Sequence, residues 1–290
     1  PVTTLLVDGN NVLMRAVKAA ESCHLALSGQ GDTPTAPLLI FINTISRYIK
    51  EVKPERLLIC WDDNSRAHRE AVYEGYKSER ARPGDEADEF KEGAFALAKQ
   101  FCALANLPTL RWPDYEADDL IAVAWRDRTG PVTILSGDKD LLQLVRDDVT
   151  QIRPGQDGVW DPARVEEAMG CRPEHWGLVL ALVGDPGDGV PGIHRVGPKT
   201  ACKALAAVDW DLEALLCTEK FQPHTETIRR NVRLVVLPMP DGPHPAMRVV
   251  APEFRPTTHD NIAWPDLLRF LAHYDLESIR SKLLTGSLWA

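Results

Sequence analysis

Residues 132–144, "VTILSGDKDLLQL", decide how the rest of the chain is read. Val132, Ile134 and Leu135 have the pattern of a buried strand, and Asp138 and Asp140 arrive together at its end. Two carboxylates so close to an apolar element repel each other and resist burial, so they need a partner. Working outward, the arrangement recurs. "TTLLV" (3–7) runs into Asp8-Gly9-Asn10-Asn11, a strand followed by a turn. "RLLICWDD" (56–63) is a second buried strand, ending in Asp62 and Asp63. Between the strands lie helical patterns: "LLIFINTISRYIKEV", then 85–106 with apolar residues at 90, 94, 97, 98, 101 and 104, then "YEADDLIAVAWRD" with acids at its start. Strands that alternate with helices imply an α/β domain with a mainly parallel sheet. In such sheets ligands gather beyond the carboxyl ends of the strands, which is where these aspartates fall.

Of the 290 residues, 44% are apolar and 26% charged, an ordinary globular composition with ample material for a core. No apolar run approaches the roughly 18 residues of a membrane span. The N-terminal "PVTTLLVDG" reads as the start of a strand rather than a signal peptide, so a cytoplasmic, monomeric protein is expected. The cysteines (23, 60, 102, 171, 202, 217) have no CxxC spacing and read as reduced thiols. The histidines show no zinc-site spacing. After about residue 170 the pattern turns helical, in "EHWGLVLALVG", "GPKTACKALAAV" and "WPDLLRFLAHYDLESIRSKLL", which places a domain boundary at 165–175. The proline-rich stretch 238–258 reads as an irregular connection.

Nine carboxylates sit at element ends: Asp8, Asp62, Glu116, Asp118, Asp119, Asp138, Asp140, Asp185 and Asp188. Together they account for the whole formal net charge of −9, so the acidity of the chain is concentrated rather than spread over its surface. Each alone could be a turn former or helix cap. Nine together in one cleft would repel strongly, and divalent cations with oxygen ligands, Mg²⁺ or Mn²⁺, resolve that conflict. On a helix Glu116 and Asp119 share a face, and on an extended segment Asp138 and Asp140 would point the same way.

The stretch 66–82, "RAHREAVYEGYKSERAR", interleaves Arg66, Arg69, Lys77, Arg80 and Arg82 with Tyr73 and Tyr76, a composition suited to phosphates and unstacked bases. "GIHRVGPKTACK" (192–203) has the form of two helices joined by a glycine hairpin, whose amides and lysines, Lys199 and Lys203, would meet a phosphate. Gly192 and Gly197 mimic P-loop spacing, but Pro198 intervenes and no strand leads in, so nucleoside triphosphate binding is rejected. Arg229, Arg230 and Arg233 fit a surface helix as well as a DNA contact.

"LLVDGNN", "ICWDDNSRAHREAVYEGYKSER", "YEADDLIA", "ILSGDKDLLQL" and "LVGDPGDGVPGIHRVGPKTACKAL" resemble, in order, the signature blocks of the 5′ nuclease family, which includes flap endonucleases, phage 5′ exonucleases and the 5′-nuclease domain of bacterial DNA polymerase I. The resemblance implies a PIN-like core over 1–170 with a helical arch at about 77–108, and a helix-three-turn-helix with a C-terminal helical region over 171–290. It implies metal-dependent hydrolysis of DNA near single-strand/duplex junctions, as flap endonuclease and 5′-3′ exonuclease. Asp8, Asp62, Glu116, Asp118 and Asp119 would serve one metal and Asp138, Asp140, Asp185 and Asp188 a second. Lys77, Arg80 and Arg69 take catalytic roles in this reading. Tyr76 stacks on substrate, and Arg195, Gly197, Lys199, Thr200 and Lys203 bind duplex DNA. Backbone carbonyls of Val190, Ile193 and Val196 fall in the segment that binds K⁺ in relatives. Where relatives often have Gly-Ile-Gly the hairpin reads Arg195-Val196-Gly197, and Asp63 is an additional acid that could compete as a ligand. A non-catalytic DNA-junction protein and an RNA-directed PIN-like nuclease are the alternatives.

Overall fold

The computed structural model describes residues 2–22, 35–63, 65–78, 86–242, 244–255 and 262–290, with only the backbone of 86–88. Its centre is a six-stranded sheet formed by β1 (Thr4–Asp8), β2 (Arg56–Cys60), β3 (Thr109–Leu110), β4 (Val132–Leu135), β5 (Val149–Ile152) and β6 (Val159–Trp160) in the order β3-β2-β1-β4-β5-β6. All neighbours are parallel except β5 and β6. The buried strand residues alternate between two cores, as the two-residue period of a strand requires. Leu5, Val7, Leu57, Ile59 and Leu135 face one apolar layer. Leu6, Leu58, Cys60, Val132, Ile134 and Val149 face the other.

The first layer is covered by α1 (Gly9–Ser22), α2 (Thr35–Val52) and, later in the chain, α4 (Glu86–Leu104). Between them in sequence lies the short α3 (Ala67–Val72). Helix α1 follows β1 with no loop: Asp8 accepts the Asn11 N–H at 2.9 Å as an N-cap, and Val12, Leu13, Ala16, Val17 and Ala20 form its buried stripe. Gly9 is required there, because a Cβ would lie 2.8 Å from the Trp61 ring and 2.9 Å from the Cys60 carbonyl. The opposite layer is covered by α5 (Ala117–Arg126) and by the 237–251 connection.

A third apolar cluster gathers α6 (Pro162–Met169), α7 (Pro173–Val183), α8 (Pro198–Ala206), α9 (Leu212–Leu216) and α10 (Thr225–Val235). A short ribbon, β7 (Gly184–Asp185) with β8 (Val190–Pro191), connects α7 to the hairpin before α8. The final helical pattern is two helices, α11 (Trp264–His273) and α12 (Glu277–Leu284), broken at Asp275, whose φ of 53° ends the first. Three expectations change here. Helix α1 replaces the turn expected at 9–11. Strand β2 stops at Cys60, so Asp62 stands beyond it. Asp140 opens a 3₁₀ turn, Asp140–Leu144, with its N–H bonded to the Asp138 carboxylate at 2.9 Å, so that pair does not lie on an extended segment.

Candidate metal and phosphodiester site

The strand order reverses at β1, and the crevice this creates opens between the carboxyl ends of β1 and β4. Asp8 lies at its floor. One carboxylate oxygen caps α1 and the other accepts from the Ser136 hydroxyl at 2.8 Å, just past β4. Burial, reinforced by Asp62 and Asp138, pushes the Asp8 carboxyl up to about 7 against the two hydrogen bonds. Asp62 is held by the Asn10 side-chain amide and the Ala117 N–H, each at 2.8 Å, while Asn10 Oδ1 accepts the Asp62 N–H at 2.9 Å. Burial and then Glu116 push Asp62 up to about 6, with Lys77 opposing. Asn11 also orients the floor by accepting the Gly137 N–H at 2.7 Å. Neither asparagine was read as a site residue; their place directly after a strand-end aspartate was the available signal.

Glu116, Asp118 and Asp119 bring carboxylate oxygens within 4.8 Å of one another at the start of α5. Two cations enter this group. Arg69 is 4% exposed, donates to Asp119 at 2.6 and 2.7 Å and reaches Glu116 at 2.8 Å. Lys77 is buried against Glu116 and lies 3.5 Å from Asp188. Burial resists the Glu116 charge, but Arg69 and Lys77 outweigh it and hold that carboxyl at about 2. Asp118 goes the other way, raised by burial and by Asp119. Asp119 is 1% exposed, and its second oxygen also takes the Glu116 N–H at 2.9 Å. Its carboxylate is thus engaged by Arg69 and backbone.

The second carboxylate group comes from the far side of the crevice. The Asp140 carboxyl is pushed up to about 8 by burial, Asp138 and Asp185, and its Oδ1 is buried with no hydrogen-bond partner among the described residues. Asp185 accepts the Gly187 N–H at 2.9 Å and is raised by burial and Asp188. Gln151 fixes the backbone between the strand and these acids, donating to the Ser136 and Asp138 carbonyls at 2.9 and 2.6 Å. Tyr76 joins the two groups: its hydroxyl is 2.6 Å from Glu116 and 3.1 Å from Asp188. The backbone does so as well, through Lys77 N–H to the Asp188 carbonyl at 2.7 Å.

Several expected roles change. The Tyr76 ring is 3% exposed, with Arg69 and Lys77 over it at 5.5 and 5.0 Å, so it supports the carboxylates and offers no face to a base. Among the described residues the Arg69 guanidinium meets carboxylates, the Tyr76 ring and the Leu234 carbonyl, contacts that suit holding the acids in place. Asp63 is turned away from the crevice. Burial opposes its charge, but bonds from Asp114 N–H and Arg111 hold its carboxyl below the usual range. Arg80 lies outside the described residues.

The hairpin that carries Arg195, Gly197, Lys199, Thr200 and Lys203 presents all of them at the surface except Thr200, which is half-buried. Arg195 takes φ 60°, the left-handed conformation that glycine would supply at this turn. Val190, Ile193 and Val196 are buried, and the Ile193 carbonyl accepts the Val196 N–H at 3.0 Å. On α10 Arg229 pairs with Glu213 and Arg233 with Asp241, while Arg230 stacks over Tyr73 at 4.3 Å.

The donor set fits divalent cations: oxygen ligands only, carboxyls raised by burial and then by their acidic neighbours, and one buried carboxylate oxygen without a partner among the described residues. A mainly parallel α/β sheet with carboxylates gathered beyond the carboxyl ends of its central strands defines the class, a scaffold suited to metal-assisted chemistry. The profile of the "5'-3' exonuclease, N-terminal resolvase-like domain" family matches residues 3–170. A 5'-3' exonuclease of Aquifex aeolicus is 35% identical over 223 residues, covering 76% of this chain and 74% of that one. The thermostable DNA polymerase I of Thermus thermophilus is 32% identical over 244 residues, 79% of this chain but only 28% of the polymerase. Among solved structures, T5 5'-exonuclease with bound divalent metal ions superposes with a TM-score of 0.67 at 21% identity, over 81% of this chain and 90% of that one. The catalytic core of Rad2 in complex with DNA superposes with a TM-score of 0.54 at 12% identity, over 97% and 91%. The fold is theirs, and the chain belongs to the 5'-3' exonuclease family of nucleases.

Proposed function

We propose that this protein hydrolyses DNA phosphodiester bonds at the junction between a 5′ single strand and a duplex, as a flap endonuclease and 5′-3′ exonuclease using Mg²⁺ or Mn²⁺. The observation that carries the reading is the convergence of two carboxylate groups around one buried lysine, Lys77, in a chain of this family. Asp8, Asp62, Glu116, Asp118 and Asp119 would hold one ion, directly or through water, and Asp138, Asp140, Asp185 and Asp188 another. When bound, the ions supply Lewis-acid stabilisation of charge on the attacking and leaving oxygens. The chain's residues do the rest. Ser136 and the α1 amides orient Asp8, Asn10 orients Asp62, and Arg69 holds Glu116 and Asp119 in place. Lys77 sets a fixed positive charge between the groups, where the phosphoryl oxygens gain charge. Arg80, three residues further along the sequence, would supply a second cation.

Arg195, Lys199, Thr200, Lys203 and the Gly197 amide would grip duplex away from this centre, and the backbone at Val190, Ile193 and Val196 would hold K⁺ there. The nuclease core is 1–170 and the helical region 171–290, acting as a cytoplasmic monomer; no helix among the described residues is long and apolar enough to cross a membrane.

The test is incubation with a 5′-labelled DNA flap, and with a matched RNA flap, in Mg²⁺, Mn²⁺ or EDTA. Wild type releases the DNA flap only with metal, and Asp138→Asn abolishes release. Tight binding without cleavage in every metal sinks the catalytic reading, and preferential cleavage of the RNA flap sinks the substrate assignment.

A further inference from the structure

The loop 111–115 joins β3 to Glu116 and leaves the sheet at the same end as the carboxylates. Cys60 is in register with Leu110, and the Trp61 N–H donates to the Leu110 carbonyl at 2.8 Å, so Arg111 and Trp112 emerge beside Asp62 and Asp63. Trp112 is 42% exposed and is the one large aromatic among the exposed hydrophobics of the described residues. A single exposed apolar side chain is ordinary. This one stands on a loop that is built to hold it. The Asp63 carboxylate accepts the Asp114 N–H at 3.1 Å, and the Asp63 N–H donates to the Tyr115 carbonyl at 2.9 Å. Ser65 bonds the Asp114 side chain, and Asp114 is locked in a left-handed conformation at φ 62°. The Trp112 ring is braced edge-on by His244 at 6.1 Å, and His244 is in turn stacked on Tyr115 at 5.8 Å.

A cationic residue, Arg111, precedes the indole in the chain. Arg111 donates a hydrogen bond from Nε to Asp63 Oδ1 at 3.0 Å, its Nη2 lies 2.7 Å from the same oxygen, and its side chain is half exposed. Lys99 of α4 sits nearby over the Trp61 ring at 5.4 Å. A rigid exposed aromatic beside fixed cations is the combination that binds one unpaired nucleotide, the ring taking the base and the guanidinium the phosphate. We propose that Trp112, with Arg111 beside it, is a stacking platform for one unstacked nucleobase in the single-stranded part of the substrate. The proposal rests on the nuclease reading for its substrate class and adds a specificity element that the acidic centre lacks.

The experiment measures binding, so that it is scored apart from cleavage. Fluorescence anisotropy in Mg²⁺ would compare a 5′-flap DNA and a blunt duplex on Asp138→Asn and on the same protein carrying Trp112→Ala or Trp112→Phe. Trp112→Ala weakens flap binding by about 5- to 100-fold, as expected for loss of one base–aromatic stack, and leaves duplex binding unchanged; Trp112→Phe keeps most of the affinity. An abasic site at one position of the single strand weakens binding to Asp138→Asn by a similar factor and has no further effect on Trp112→Ala. Flap affinity within about two-fold of the parent for Trp112→Ala, or abasic penalties identical in both proteins, overturns the platform even if wild type cleaves flaps. Failure of wild type to cleave, with the abasic effect intact, overturns only the nuclease reading.

Discussion

At Arg69 a guanidinium 4% exposed meets Asp119 through two short hydrogen bonds and Glu116 through a third. Burial opposes its charge, and the charge persists because Asp119 and its neighbours outweigh that cost. Removing one member of such a buried network leaves the others uncompensated. Arg69→Met should therefore lose about 3–5 kcal/mol of stability by urea denaturation, and Arg69→Lys should not recover it, since an ammonium cannot reproduce the bidentate fork. The double variant Arg69→Met/Asp119→Leu should be less destabilised than Arg69→Met alone. Equal loss in the two would show that the arginine acts through packing rather than through Asp119. The arginine and the acids were legible in the sequence as types. Their pairing was not, since Arg69 and Asp119 lie on different helices, α3 and α5, 50 residues apart in the chain.

Two short elements carry the connection between the nuclease centre and the helical region. The turn 73–78 docks on the β7–β8 loop: a Cβ on Gly189, at φ 71°, would stand 2.8 Å from the Gly75 carbonyl, and Lys77 takes φ 51° to present its N–H to Asp188. Gly189→Ala combines left-handed strain with that backbone clash. It should cost at least about 1–2 kcal/mol in melting experiments and depress cleavage by displacing Lys77. Undiminished cleavage would show that the loop does not position the lysine. At the outer hairpin, Lys199→Ala should weaken duplex binding for every sequence and lower the slope of log affinity against log salt by about 0.9. An unchanged slope would remove this lysine from the interface. Helix α1 escaped the sequence reading because its stripe of Val12, Leu13, Ala16, Val17 and Ala20 begins directly after Asp8, where the Gly-Asn-Asn that follows has the composition of a turn.

Over the whole molecule the carboxylates set how stability depends on pH. Asp8, Asp62 and Asp140, raised to about 7, 6 and 8, bind protons more tightly when folded than unfolded. Their contribution is favourable in mild acid and is lost as pH rises through those values. Glu116, held at about 2, contributes above the ordinary glutamate range and loses that contribution as pH falls below it. Metal-free protein should therefore melt highest near pH 5 and lower at pH 8, and Mg²⁺ should restore the melting temperature at pH 8 with little effect at pH 5. A metal-free protein equally stable at both, or insensitive to Mg²⁺ at pH 8, would mean that the carboxylates are too far apart to repel.

By itself the sequence determined the class of fold and singled out nine carboxylates at the ends of its elements, because strand period, helix period and acids at element ends are local patterns. The tertiary structure alone decided which charges meet. It put Lys77 between Glu116 and Asp188, gave Asp119 to Arg69 and Asp63 to Arg111, buried the Tyr76 ring and left Trp112 at the rim. Those outcomes depend on distances between elements far apart in the chain, and a buried charge takes the partner that packing brings within reach.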